Sequence, residues 1–168
     1  MTPIQIFAGL WQKDSALKVL IPAILCLIEI ELWHTPVVGL LFFVLVFTSM
    51  DIVGFINLTA RDTALSVPRV SYRILMVTLQ AVLIALVVSL TNISAGVACL
   101  IAWWFTACDW LFYVLQNDWN DYSPYPWLSW SVFGILNRIG IPTTKTSFPI
   151  VAIIGLAAAV AVSIFVKL

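Results

Sequence analysis

A chain of 168 residues that is 62% hydrophobic and only 10% charged departs from an ordinary soluble domain, which is about half apolar and roughly a quarter charged. It has too few polar side chains to clothe the outer face of every element, so water is excluded as the solvent for most of its surface. The formal net charge of zero gives no sign of nucleic acid or an acidic partner, and the placement of the charges becomes the informative quantity.

Ile4, Phe7, Ala8 and Trp11 fall on one helical stripe ahead of Lys13. The first long apolar run then covers about 16–34. It does not read as a cleavable signal: Lys13 and Lys18 come before or early in it, Glu29 and Glu31 lie within it, and it lacks a small-residue cleavage site. Four further runs, about 37–58, 70–92, 94–115 and 148–166, also approach the ~20 residues that cover roughly 30 Å of hydrocarbon. Helix is the form expected for all five, since lipid leaves no partner for unpaired backbone and the alternation of a membrane barrel is absent. The expectation is an all-α fold: a polytopic membrane helical bundle of five transmembrane helices, one integral membrane domain over 1–168.

The connections suit antiparallel neighbours. Thr35-Pro36 is a tight hairpin, Thr59 to Arg69 a polar loop and Thr91 to Ser94 a short turn. The connection from Gln116 to Ser147 is long, with Asn117, Asp118, Asn120 and Asp121 followed by Tyr122, Pro124, Tyr125, Pro126 and Trp127. Such a mixture suits the headgroup layer. Leu128, Val132, Ile135 and Ile139 recur there at helical spacing, opposite Ser131, Gly134 and Arg138, which predicts a short interfacial helix in this fourth connection.

Five spans put Lys13, Lys18, Arg61, Arg69, Arg73, Arg138 and Lys145 on one side and Lys167 alone on the other. The positive-inside rule then places the N-terminus in the cytoplasm, the C-terminus outside and the chain in the cell membrane. Gly155, Ala159 and Ser163, four residues apart, form a seam on which a second helix can approach closely, within the bundle or between protomers.

Ionisable residues inside spans cost about 2.5–3.5 kcal/mol on insertion scales and so point to function. Asp51 and Asp109 fall at one depth on the cytoplasmic side, about 9–10 Å in, with Arg73 as the natural counter-charge. Thr106, Asp109, Tyr113 and Asn117 follow three- and four-residue steps along the fourth span, and Thr48 precedes Asp51 by three on the second. Asp51, Asp109, Arg73 and Tyr113 are the candidate catalytic groups, and Thr48, Thr106, Asn117 and Trp110 the candidate substrate contacts. The structural alternative is a buried ion pair that fixes helix register.

A second polar group, Glu29, Glu31 and His34, closes the first span near the outer face. With a single histidine in the chain, no common zinc or di-iron centre is expected, and no cofactor is implied. Cys26, Cys99 and Cys108 lie in apolar runs without metal spacing and read as packing residues. Asn57-Leu-Thr and Asn92-Ile-Ser match the glycosylation pattern but touch span ends.

These features favour an enzyme acting on a lipid-like or isoprenoid substrate by acid/base chemistry, in an acidic polar cavity on the cytoplasmic side. The alternatives are a small-solute or proton-coupled transporter or ligand-binding protein, whose usual repeats and broken helices are not visible, and a non-catalytic subunit. The expected partners are the bilayer, a lipid-like small molecule and a membrane subunit or second copy. In size, five-span count and tryptophan content the chain resembles the tryptophan-rich sensory proteins, which bind porphyrins and sterols. In its carboxylates on separate helices it resembles small membrane terpene cyclases. Neither resemblance transfers a motif to particular positions here.

Overall fold

A computed structural model describes residues 15–61, 69–116 and 131–166, with side chains for all of these except 15–17, 51, 53–61, 69–73 and 116. Helices occupy each apolar interval: α1 (Ser15–Trp33), α2 (Pro36–Arg61), α3 (Arg69–Leu90), α4 (Ile93–Trp104), α5 (Ala107–Gln116), α6 (Val132–Arg138) and α7 (Ser147–Phe165). Among the described residues there is no strand.

Among the described residues only α7 is by itself long and apolar enough to cross a bilayer, and just 28% of its apolar window is buried. The fourth interval, expected as one continuous helix, is two. α4 and the 107–115 stretch of α5 meet the length criterion together but are bent by 59° at their junction. α1 carries Lys18, Glu29 and Glu31, while α2 and α3 contribute the apolar stretches Pro36–Met50 and Ile74–Leu90 among the described residues.

α2 is the centre of the bundle and packs against α1, α3, α4, α5 and α7. Gly39 fixes one register, because a Cβ there would lie 3.0 Å from Val87 on α3 and 3.2 Å from Thr91 just after it. The start of α2 therefore lies beside the end of α3. At the same end the His34 imidazole bonds to the Leu90 carbonyl, and the Ser94 hydroxyl at the start of α4 donates to the carbonyl of Val166. This hairpin end thus gathers the turns after α1 and α3 and the close of α7.

α7 runs antiparallel to α4 and α5 along its whole length. Ser94 meets Val166, Phe105 meets Gly155, and Tyr113 meets Phe148 edge-on with ring centroids 5.6 Å apart. The seam forecast on α7 is accordingly an internal one: Ala152, Gly155, Ala159 and Ser163 are all buried, and a Cβ on Gly155 would overlap Phe105.

The core has two parts. One, including Ile30, Leu40, Phe43, Val87, Ala98, Cys99, Ala102 and Ala159, fills the hairpin half. The other, Val19, Ile52, Phe112, Tyr113, Phe133 and Phe148, fills the opposite end, where α1 begins at Ser15 and α2 finishes at Arg61. Cys26, Cys99 and Cys108 are buried and unbridged. Outward-facing surface is instead apolar, with Leu25, Ile28, Leu32, Ile74, Leu75, Val82, Ile153 and Ile154 each about half exposed or more.

Candidate functional site

The station forecast around Asp51 and Asp109 lies where α2 passes the junction of α4 and α5. Neither proline nor glycine marks that junction. α4 closes with Phe105 N donating to Ile101 O and Thr106 N to Trp103 O, each at 2.9 Å. Thr106 then adopts φ 62°, a left-handed conformation rare for a β-branched residue. Its hydroxyl donates to the Phe105 carbonyl at 2.6 Å, and its own carbonyl accepts from Trp110 N at 2.9 Å, opening α5. Thr106 is fully buried.

Two consequences follow for the predicted stripe. Thr106 belongs to the break and not to the helix carrying Asp109 and Tyr113, so the polar face begins at Asp109. Asp109 now stands in the first turn of α5, where the positive end of the helix dipole favours a carboxylate by about 0.3–1 kcal/mol. The sequence did contain a signal for this start. Thr106-Ala-Cys-Asp109 has the Thr-x-x-Asp spacing of a helix N-terminus, set inside an apolar run where continuity was the simpler expectation.

α2 is tied to this break directly. Thr48, fully buried, donates from its hydroxyl to the Cys108 carbonyl at 3.3 Å. Asp51 follows Thr48 by one helical turn and Asp109 follows Cys108 by one residue, so the two carboxylate positions share a level on neighbouring helices. Side chains of Asp51 and Arg73 lie outside the described residues, as does Asn117 altogether. From the α2–α3 register at Gly39, Arg73 stands about 3–9 Å nearer the basic end than the α3 position opposite Asp51.

Tyr113, forecast as a catalytic group, is a core residue by its surroundings. It is 2% exposed, with Phe112 and Phe148 edge-on at 5.8 and 5.6 Å between centroids. Trp110 is half-buried against the same cluster. Phe133 and Phe148, which complete it, lie on α6 and α7, too distant in sequence for the spacing along α5 to reveal them.

The three outer residues are assigned separate tasks. Glu29 is half-buried, its Oε1 accepting from the Thr35 hydroxyl at 3.0 Å and its Oε2 enclosed without a partner among the described residues. Glu31 is exposed and borders an apolar groove of about 470 Å³ with Leu27, Ile28, Leu32, Leu86 and Leu90. His34 has left the helix at φ 53° and donates from Nδ1 to the Leu90 carbonyl at 2.7 Å. Among the described residues no three His, Cys, Asp or Glu side chains are grouped to hold a metal. Asn92, one of the two glycosylation matches, caps α4 by accepting from Ala95 N at 3.0 Å.

No protein-family model, no curated protein and no solved structure matches this chain. Its function must be argued from this geometry alone.

Proposed function

We propose that this is a multi-pass membrane protein that crosses the bilayer five times, with its basic end in the cytoplasm, and that it binds and moves a small solute coupled to a proton or cation. The observation that carries the functional part is the break at Phe105–Thr106. It opens a new helix within an apolar pass, puts Asp109 in the first turn, and has α2, the Asp51 helix, bonded to it through Thr48. Discontinuous helices are the arrangement by which many membrane transporters build their sites for ions and polar solutes.

Several features support the membrane part. The outward surface of the long helices is largely apolar, with Leu25, Ile28, Ile74, Val82, Ile153 and Ile154 exposed, whereas soluble monomers rarely expose apolar patches beyond a few hundred Å². A soluble core helix as apolar as α7 would be mostly buried, and only 28% of the α7 window is. The α4–α5 pair follows α7 from Ser94 to Tyr113, against Val166 to Phe148, roughly 28 Å of helix in each, as one bent pass would.

A second reading, acid/base catalysis on a lipid-like or isoprenoid substrate with Asp51 and Asp109 as acid and base and Arg73 as orienter, is favoured by one observation. Met50, beside Asp51, and Val114, next to Tyr113 on α5, are 43% and 47% exposed, so the station borders the lipid-facing surface.

Thermal-shift measurements on the detergent-solubilised protein separate the two. The probes are amino acids, sugars, polyamines and monovalent cations on one side, and isoprenoid alcohols and diphosphates on the other. A soluble solute should raise the melting temperature, with a dependence on pH that disappears in Asp109→Asn. Stabilisation by an isoprenoid alone, with product detected by mass spectrometry, would replace transport by catalysis. Stabilisation that survives in both Asp51→Asn and Asp109→Asn would remove the station from either reading.

A further inference from the structure

The connection between α5 and α7 contains a rigid foot whose outer face does not belong in water. α6 docks through Phe133, fully buried against Phe148 with centroids 5.6 Å apart, and through half-buried Val132 and Leu136. The stripe forecast as a unit is therefore divided: Val132 turns inward while Ile135 and Ile139 turn out, 53% and 67% exposed. Arg138, forecast on the side opposite the isoleucines, is three residues from Ile135, hence its neighbour on the helix surface, and is exposed as well.

The turn after α6 is built to hold this face. Ile141 N donates to Leu136 O at 2.9 Å and Gly140 N to Asn137 O at 3.3 Å, with Gly140 at φ 89°, the two bonds of a Schellman stop with glycine in its left-handed position. Asn137 Oδ1 then accepts from Thr143 N at 3.1 Å. Thr144 and Ser147 bond reciprocally, N to Oγ at 2.8 Å and N to Oγ1 at 3.0 Å. Ile141, 45% exposed, and Lys145, exposed, are carried on this fixed loop.

We infer that the foot formed by Ile135, Arg138, Ile139, Ile141 and Lys145 is a docking surface for anionic phospholipid at the cytoplasmic leaflet. A loop meant for water has no reason to fix three isoleucines outward. Isoleucines interleaved with two cations match the boundary between acyl chains and acidic headgroups, and the foot lies at the end where Lys18, Arg61 and Arg69 also stand. Each cation near such a surface contributes about 1 kcal/mol, roughly a five-fold preference for the anionic lipid. The inference rests on the membrane reading.

The test uses the full chain reconstituted in an equal mixture of phosphatidylcholine and phosphatidylglycerol, extracted gently, with the retained lipids measured by mass spectrometry. Wild type should retain phosphatidylglycerol preferentially, and the double substitution Arg138→Gln, Lys145→Gln should lower that preference at least roughly five-fold. Lys18→Gln, which removes an exposed cation at the same end, should lower it less. Equal losses in the two variants, or no loss in the double variant, would overturn the inference while leaving the membrane reading intact. Alkaline carbonate treatment of the same vesicles tests that reading separately, because release of the wild-type chain would remove the bilayer itself as partner.

Discussion

Thr106 holds a buried β-branched side chain at φ 62°, and conformations of this kind cost on the order of 1–3 kcal/mol unless the surroundings enforce them. What enforces it is the pair Phe105 and Gly155. The Phe105 side chain lies over α7 at the one point where no Cβ stands in its way, so Gly155 permits the break to sit against the neighbouring helix. Gly155→Ala should therefore destabilise the protein. Alanine gains up to about 1 kcal/mol in helix propensity, but its Cβ would overlap the Phe105 Cβ and ring root, which cannot swing aside as a flexible tip can. Overpacking of this sort costs typically 1–3 kcal/mol or more, so a net loss of about 1–2 kcal/mol is expected. Equilibrium unfolding in mixed detergent measures it, and a variant as stable as wild type would mean that α4 and α7 do not meet here. The small-residue seam was legible in the sequence as a pattern, because Gly155, Ala159 and Ser163 recur every four residues. Its partner was not, because Phe105 is a contact across fifty residues.

The helices themselves were largely legible, since a lipid-exposed pass must be apolar for its full length and the ends are marked by polar or turn residues. The α3–α4 turn illustrates this: Thr91 and Asn92 interrupt two apolar runs, and Asn92 serves as the N-cap of α4. Asn92→Ala should cost about 1 kcal/mol through the lost bond to Ala95 N, and Asn92→Ser should restore most of it. Thermal melting of the three proteins decides this, and equal melting temperatures would rule out the cap. The break between α4 and α5 was much less legible. Helix termini inside hydrocarbon have no water to satisfy them, so an uninterrupted apolar run argues for continuity. Only the Thr106-to-Asp109 spacing argues otherwise. α6 was visible as a periodic segment, but the residue that docks it was not. Phe133, outside the predicted stripe, makes the contact with Phe148, while Ile135 and Ile139 of the stripe are turned out.

For the whole molecule the decisive quantity is which elements share an end. Trp33 and Ile141 are separated by α2, α3, the bent α4–α5 pair and the short α6. If the bent pair is one pass, three passes intervene and the two residues face opposite sides of the membrane; if α5 turns back as a re-entrant arm, they face the same side. The antiparallel register of α4 and α5 along α7 favours a single pass, and so does the charge distribution, with seven of eight Lys and Arg residues falling on one side only under five passes. The chain is well suited to a direct measurement, because Cys26, Cys99 and Cys108 are all buried and leave a low background for thiol labelling. Trp33→Cys and Ile141→Cys, at positions 73% and 45% exposed, each introduce one accessible thiol. A membrane-impermeant maleimide should label Trp33→Cys in intact cells and Ile141→Cys only in inverted vesicles. Labelling of both from the same side would convert the bent pair into a re-entrant arm. It would also detach Arg138 and Lys145 from the basic end, and with them the foot that carries them.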